Sequence, residues 1–285
     1  HWRDWSSDVC SSDLNINTRI PFHSVIFDVS MDRGVRTAND RLTEIMYRAL
    51  LRELGYAEDF DLAELEITLE GDGRLKKFED EFKKQHGDEW RKRRQLGLAI
   101  NEASAVLNKL DPKTYPTAES YAMATGKGRA DVDPNKLARR AFDLTAKRYP
   151  GKALIFIIDE VGQYVSRSVD KMLDLQAIIQ AFGVEGKNRT ERHEAVSPFW
   201  IVVTSQEKLN EVVTALDSKR IELARLQDRF RIPVDLKQSD IAEVTSKRVL
   251  EKKKAATDKG GSVPAPNIAS SVVSTGSATD GSLPT

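Results

Sequence analysis

The sequence predicts an α/β protein, a mostly parallel sheet with flanking helices. Three observations carry that expectation. Short β-branched apolar runs lie at Ser24–Ser30, Ala153–Ile158 and Phe199–Val203. Apolar stripes at helical spacing separate them, and strands alternating with helices build parallel sheets. The run Ala153–Ile158 is apolar at every position, the pattern of a central strand buried on both faces.

Taken in order, Ser24–Ser30 is the first strand. Leu42, Ile45, Met46, Ala49, Leu50 and Leu54 then recur at helical spacing and stop at Gly55, a helix with a core-facing stripe. Thr37, with Asp40 three residues on, offers a capping box before it.

Residues 60–130 break the alternation. DGRLKKFEDEFKKQHGDEWRKRRQ is mostly charged, with apolar residues at wide intervals. It predicts a helical insertion, either a solvated pair or an arm. Arg91–Arg94 beside Trp90 form a basic cluster of the kind that meets phosphates or DNA. Asp111-Pro112 and Tyr115-Pro116 mark loops. Thr125–Arg129 reads as a loop too, because it lacks the spacing GxxxxGK(S/T) and follows no strand.

From Pro134 the alternation returns. Leu137, Ala141 and Leu144 form a helix that ends near Tyr149-Pro150-Gly151. The strand Ala153–Ile158 follows, then a helix through Met172, Leu175, Ile179 and Phe182. A polar loop is expected from Gly183 to Ser197, and a buried strand at Phe199–Val203. Leu209, Val212, Val213 and Leu216 mark another helix, and Ile232–Leu236, with Pro233, an edge strand. Ser239 caps a last helix that closes on Lys252–Lys254.

The ends differ. Residues 1–14 hold the only cysteine, Cys10, and no periodicity; they resemble a non-native, adapter-derived segment. Residues 256–285 are rich in Gly, Ser, Thr and Ala, and predict a disordered low-complexity tail.

Composition narrows the classes. One Cys and four His in 285 residues exclude a disulfide scaffold, a zinc fold and a c-type haem site. Forty-four basic against 44 acidic residues argue against a protein that coats nucleic acid. No apolar run suits a membrane span, and the expected location is the cytoplasm.

The chemistry centres on Asp159-Glu160. Two carboxylates at the C-terminal end of a central strand sit where α/β sheets bind ligands. Burying them is costly unless something compensates, and Mg²⁺ carried on nucleotide phosphates does so. In that arrangement Asp159 binds Mg²⁺, directly or through water, and Glu160 polarises the water that attacks the γ-phosphate. The competing role is a pair of solvated carboxylates capping the next helix. Thr204, Ser205 and Gln206 follow the next strand and can each hydrogen-bond that water or the γ-phosphate. Arg229, and second Arg231, are candidates for an arginine finger across a subunit interface, or else for surface ion pairs.

Together, LIFIIDEVGQYV (Leu154–Val165), FWIVVTSQEKL (Phe199–Leu209) and LQDRFRIPVDL (Leu226–Leu236) resemble, in order and spacing, the P-loop ATPase of bacterial BREX phage-defence systems, the BrxC/PglY family. The wider class it resembles is the AAA+/STAND-type ATPases, and the similarity spans roughly residues 15–255. The resemblance implies a P-loop NTPase fold, ATP and Mg²⁺ as cofactors, and hydrolysis within a multi-component defence complex. Its partners would be other phage-defence proteins and, for an arginine finger, further copies of itself. One departure stands out: no GxxxxGK(S/T) precedes the first strand. The expectation is therefore a partial ATPase domain, inactive alone. The alternative is a non-hydrolysing interaction or DNA-binding scaffold with a degenerate nucleotide site.

Overall fold

The computed structural model describes residues 21–29, 41–96, 98–125, 132–165 and 168–205, together with Phe230, Ile232 and Val234. The chain divides into two units, His1–Arg231 and Ile232–Thr285. Of the second, only Ile232 and Val234 are described, and both are exposed. The helices expected at 209–216 and 239–254, and most of the strand at 232–236, lie outside the described residues.

Three parallel strands, β1 (Phe22–Asp28), β2 (Ala153–Asp159) and β3 (Trp200–Val203), pair in the order β1-β2-β3. The register sets Ile26 opposite Ile157 and Ile157 opposite Val202. β2 is thus the middle of the described strands, as expected, but it is not buried on both faces: Ile155 and Ile157 are half-buried.

Side chains alternate between the two faces of a strand. On one face stand Val25, Phe27, Leu154, Phe156 and Ile158, from 0 to 4 % exposed. They pack against α1 (Leu42–Glu53), α7 (Pro134–Arg148) and α9 (Val169–Glu191) in one core. Strands added in one direction by right-handed crossovers place their helices on one side. The opposite face carries Ile26, Ile155, Ile157, Trp200 and Val202, none of them buried. β3 is therefore not the buried strand the sequence suggests. Trp200 is 53 % exposed because no described helix lies over that face.

Local signals explain the helix ends. Gly55, at φ 81°, stops α1 as read. At its start Arg41 is the N-cap and makes no side-chain cap bond; Thr37 and Asp40 lie outside the described residues. Asp133 caps α7 by accepting from Lys136 N at 2.8 Å, with Pro134 in the first turn. α9 runs to Glu191, through the stretch expected to be a polar loop. Two contacts outweigh the low helix propensity of Gly183 and Gly186. Arg189 bonds Glu185 one turn back at 2.6 Å and Asp143 of α7 at 2.7 Å. Gly186 lets the helix lie close: a Cβ there would meet Phe142 Cζ and Phe199 N, each at 3.3 Å.

The charged insertion has a core of its own, while most of the charged side chains of its run at 71–96 stay exposed. It comprises α2 (Phe60–Gly71), α3 (Leu75–His86), α4 (Trp90–Arg93), α5 (Ala99–Leu110) and α6 (Ser120–Thr125). The wide apolar spacing in α3 is a narrow stripe of two large rings. Phe78 and Phe82 meet Trp90 edge-on at 5.2 and 5.0 Å. α2 is the wall between the two cores. Its Ala63 and Ile67 join the sheet core, while Leu62, Leu65 and Leu69 join the insertion core. Glu64 pairs with Arg140 of α7 at 2.6 Å, and Glu70 with Arg148 at 2.9 Å. Glu66 is 2 % exposed and accepts from Trp90 Nε1 at 2.6 Å, Ala57 N at 2.7 Å and Arg94 Nη1 at 2.7 Å.

Glu66→Ala is expected to destabilise the protein by about 1–3 kcal/mol, since it strips the buried Trp90 indole N–H and the half-buried Arg94 guanidinium of an acceptor. Urea unfolding followed by tryptophan fluorescence measures this. His23 stacks on Tyr149 with centroids 3.9 Å apart. Burial, and then the Lys152 charge, lower its pKa from 6.5 to about 4. Between those pH values the unfolded chain holds a proton that the folded one refuses. Stability is therefore full above pH 6.5 and falls on acidification toward pH 4. His23→Gln should flatten that slope in thermal melts run across the same pH range.

Candidate functional site

The parallel strands bring their C-terminal ends to one edge. Asp28 ends β1, Asp159 ends β2, and the register sets the two opposite each other. Thr204 follows β3 directly. By strand alternation Asp28, Asp159 and Thr204 stand in one row, at the end of the uncovered sheet face. Asp28 is a site residue that the sequence reading missed. The signal was present, because VIFD at Val25–Asp28 repeats the apolar-run-then-Asp pattern of FIID at Phe156–Asp159.

Backbone bonds stitch this edge. Thr204 N donates to Ile158 O at 3.0 Å, and Val161 N donates to Thr204 O at 3.0 Å. On the other side Val29 N donates to Asp159 O at 3.3 Å. Between these bonds lies Glu160, whose φ of 60° is left-handed and not that of a glycine. Such a conformation costs about 1–3 kcal/mol and persists where its surroundings enforce it, often at functional sites. It turns the chain sharply from β2 into α8 (Val161–Val165).

The side chains tighten the same corner. Thr204 Oγ1 donates to Asp159 Oδ1. Glu160 N donates to Asp159 Oδ1 at 3.1 Å and to Thr204 Oγ1 at 3.3 Å. Asp159 and Glu160 are half-buried, and Thr204 and Ser205 are exposed. Ser205 lies against Gly162: a Cβ built on Gly162 would collide with Ser205 Oγ. The expected cluster of Asp159, Glu160, Thr204 and Ser205 is thus brought together. Gln206, Arg229 and Arg231 lie outside the described residues.

In the basic cluster at 91–94 the three arginines face carboxylates, while Lys92 is exposed. Arg93 makes bonds of 3.0 Å from Nε and 2.8 Å from Nη2 to Glu102, Arg94 reaches Glu66, and Arg91 Nε lies 3.6 Å from Glu79. Trp90 is buried and offers no face for base stacking.

Among the described residues, no three His, Cys, Asp or Glu side chains are disposed to hold a metal ion. A cation caged wholly by protein does not suit this site. The Asp159 and Glu160 carboxylates are hard oxygen donors, and they fit a Mg²⁺ that takes most of its ligands from water and phosphate. No helix among the described residues is long and apolar enough to cross a membrane. No protein-family model matches the sequence, and no solved structure matches the chain.

Proposed function

We propose that the chain is the metal- and water-handling part of an ATP-binding and ATP-hydrolysing P-loop ATPase, acting in the cytoplasm in a bacterial BREX-type phage-defence complex. The observation that carries this reading is the corner at the end of the central parallel strand. There Asp159 and Glu160 are locked to Thr204 of the neighbouring strand. The resemblance of the Asp159-Glu160 and Thr204–Gln206 segments to the BREX ATPase supplies the rest.

In this reading Asp159 faces the Mg²⁺ of a bound Mg-ATP, and Glu160 orients the attacking water and accepts its proton. The bound Mg²⁺ would draw negative charge from the phosphates. Asp28 sets a second carboxylate beside Asp159 in the row. Arg229 and Arg231 would serve the site of an adjacent copy in a homo-oligomer, and other defence proteins would complete the complex. The sequence contains no GxxxxGK(S/T), so hydrolysis requires a phosphate cradle joined to this chain. The sheet face that no described helix covers leaves room for such an addition, because parallel sheets are normally covered on both sides. That same face favours a second reading, an interaction scaffold whose open sheet receives a partner and hydrolyses nothing.

Three measurements test the proposal. This chain alone should bind Mg-ATP far more weakly than ordinary ATPases do, as measured by calorimetry; ordinary affinity would overturn the need for a cradle. In a protein where an in-frame GxxxxGK(S/T) precedes Asn15, Glu160→Gln should slow hydrolysis by about 10²-fold or more while ATP stays bound. There Asp159→Ala should weaken Mg-nucleotide binding. A parental rate in the Glu160→Gln variant rejects the enzyme reading and leaves the scaffold.

A further inference from the structure

We infer that Gly162 is a positioning residue for the Asp159 and Glu160 carboxylates, an inference that rests on the reading of those residues just given. The glycine is required for space and not for backbone freedom. Gly55, Gly73, Gly87 and Gly151 have positive φ, and a Cβ on any of them would meet nothing within 4 Å. Gly162 is the reverse case. Its φ is not left-handed, yet a Cβ there would collide with Ser205 Oγ and lie 3.0 Å from Ser205 Cβ.

The contact matters because of what flanks it. Ser205 follows Thr204, and Gly162 follows Val161, whose N–H donates to Thr204 O at 3.0 Å. The end of β3 therefore lies along the first turn of α8, and the bare Cα of Gly162 sets how closely. At that separation the Thr204 hydroxyl donates to Asp159 Oδ1 and accepts from Glu160 N. Thr204 is thereby committed to the site's own residues, and its role is to position Asp159 rather than to touch a ligand. Asp159 Oδ1 takes two donors, which leaves Oδ2 as the oxygen to meet a cation.

A methyl group at residue 162 pushes Ser205 outward and carries Thr204 with it. Asp159 Oδ1 then loses its hydroxyl donor, and Glu160 N loses one of its two acceptors. The bracket around the left-handed Glu160 backbone loosens. Shortening Ser205 to glycine removes both atoms that the methyl would strike.

The experiment is a double-mutant cycle in this chain, read by NMR without nucleotide. Gly162→Ala should shift the Glu160 and Val161 amide resonances and speed their hydrogen exchange by about tenfold or more, with Phe156 in the sheet core unchanged. Ser205→Gly alone sets the reference for the cycle. In Gly162→Ala combined with Ser205→Gly the Glu160 amide should return to that reference position. An unchanged Glu160 amide in Gly162→Ala overturns the inference. So does a double variant that fails to recover, including one that fails to fold, since the crowding would then not be with Ser205. A second arm adds Mn²⁺-ATP at millimolar concentration, where weak binding still registers, and follows paramagnetic broadening of the Glu160 amide, which should be less in Gly162→Ala than in the parental chain. Broadening absent from the parental chain at that concentration counts against the nucleotide reading, while the amide cycle still decides the role of Gly162.

Discussion

Parallel pairing of β2 with both neighbours is the constraint from which most of this structure follows. Parallel strands cannot be joined by a tight turn, so each connection must travel back along the sheet. The β1–β2 connection is long enough to hold the whole helical insertion, and the β2–β3 connection is built around the short α8 and the long α9. Because crossovers are right-handed, α1, α7 and α9 gather on one face. The same pairing aligns the strand ends, so that Asp28, Asp159 and Thr204 fall in one row. The candidate site is thus a by-product of strand direction, refined by the corner at Glu160.

The corner itself depends on close approach. A left-handed Glu160 is held because bonds from both adjoining strands brace its neighbours. The two donors onto Asp159 Oδ1 are charge-assisted, and such bonds are stronger than neutral ones. The site is therefore rigid at the backbone and presents its carboxylates from a braced frame, as a site needs if it is to act on a small, charged ligand.

Much of this frame was legible in the sequence. The strands, α1 and α7 announce themselves by period, since Leu42 to Leu54 and Leu137 to Leu144 keep helical spacing. Asp159-Glu160 was legible because a carboxylate pair after six apolar residues has few innocent explanations. The misreadings have physical causes. Counting charges in α3 hid Phe78 and Phe82, two rings large enough to form a core with few residues. In α2, apolar residues on nearly every side blur the one-sided pattern that marks a helix. Gly186 looks like a helix breaker, but its packing onto Phe142 overrides that propensity. The exposure of β3 was not legible, because it depends on which elements cover the sheet. Nor were the Thr204–Asp159 bond and the fit of Ser205 against Gly162, which join residues over 40 positions apart.

α2 has almost no wet side; of its residues only Thr68 and Gly71 are exposed. One flank closes the sheet core, the other closes the insertion core, and Glu64 and Glu70 clip it to α7. The insertion is therefore no appendage that evolution can trim away. Deleting it would strip the sheet body of part of its own wall, and isolating it would bare Ala63 and Ile67 to water. The helix makes two modules into one cooperative unit, so that the interrupted α/β body and its interruption share a single melting transition.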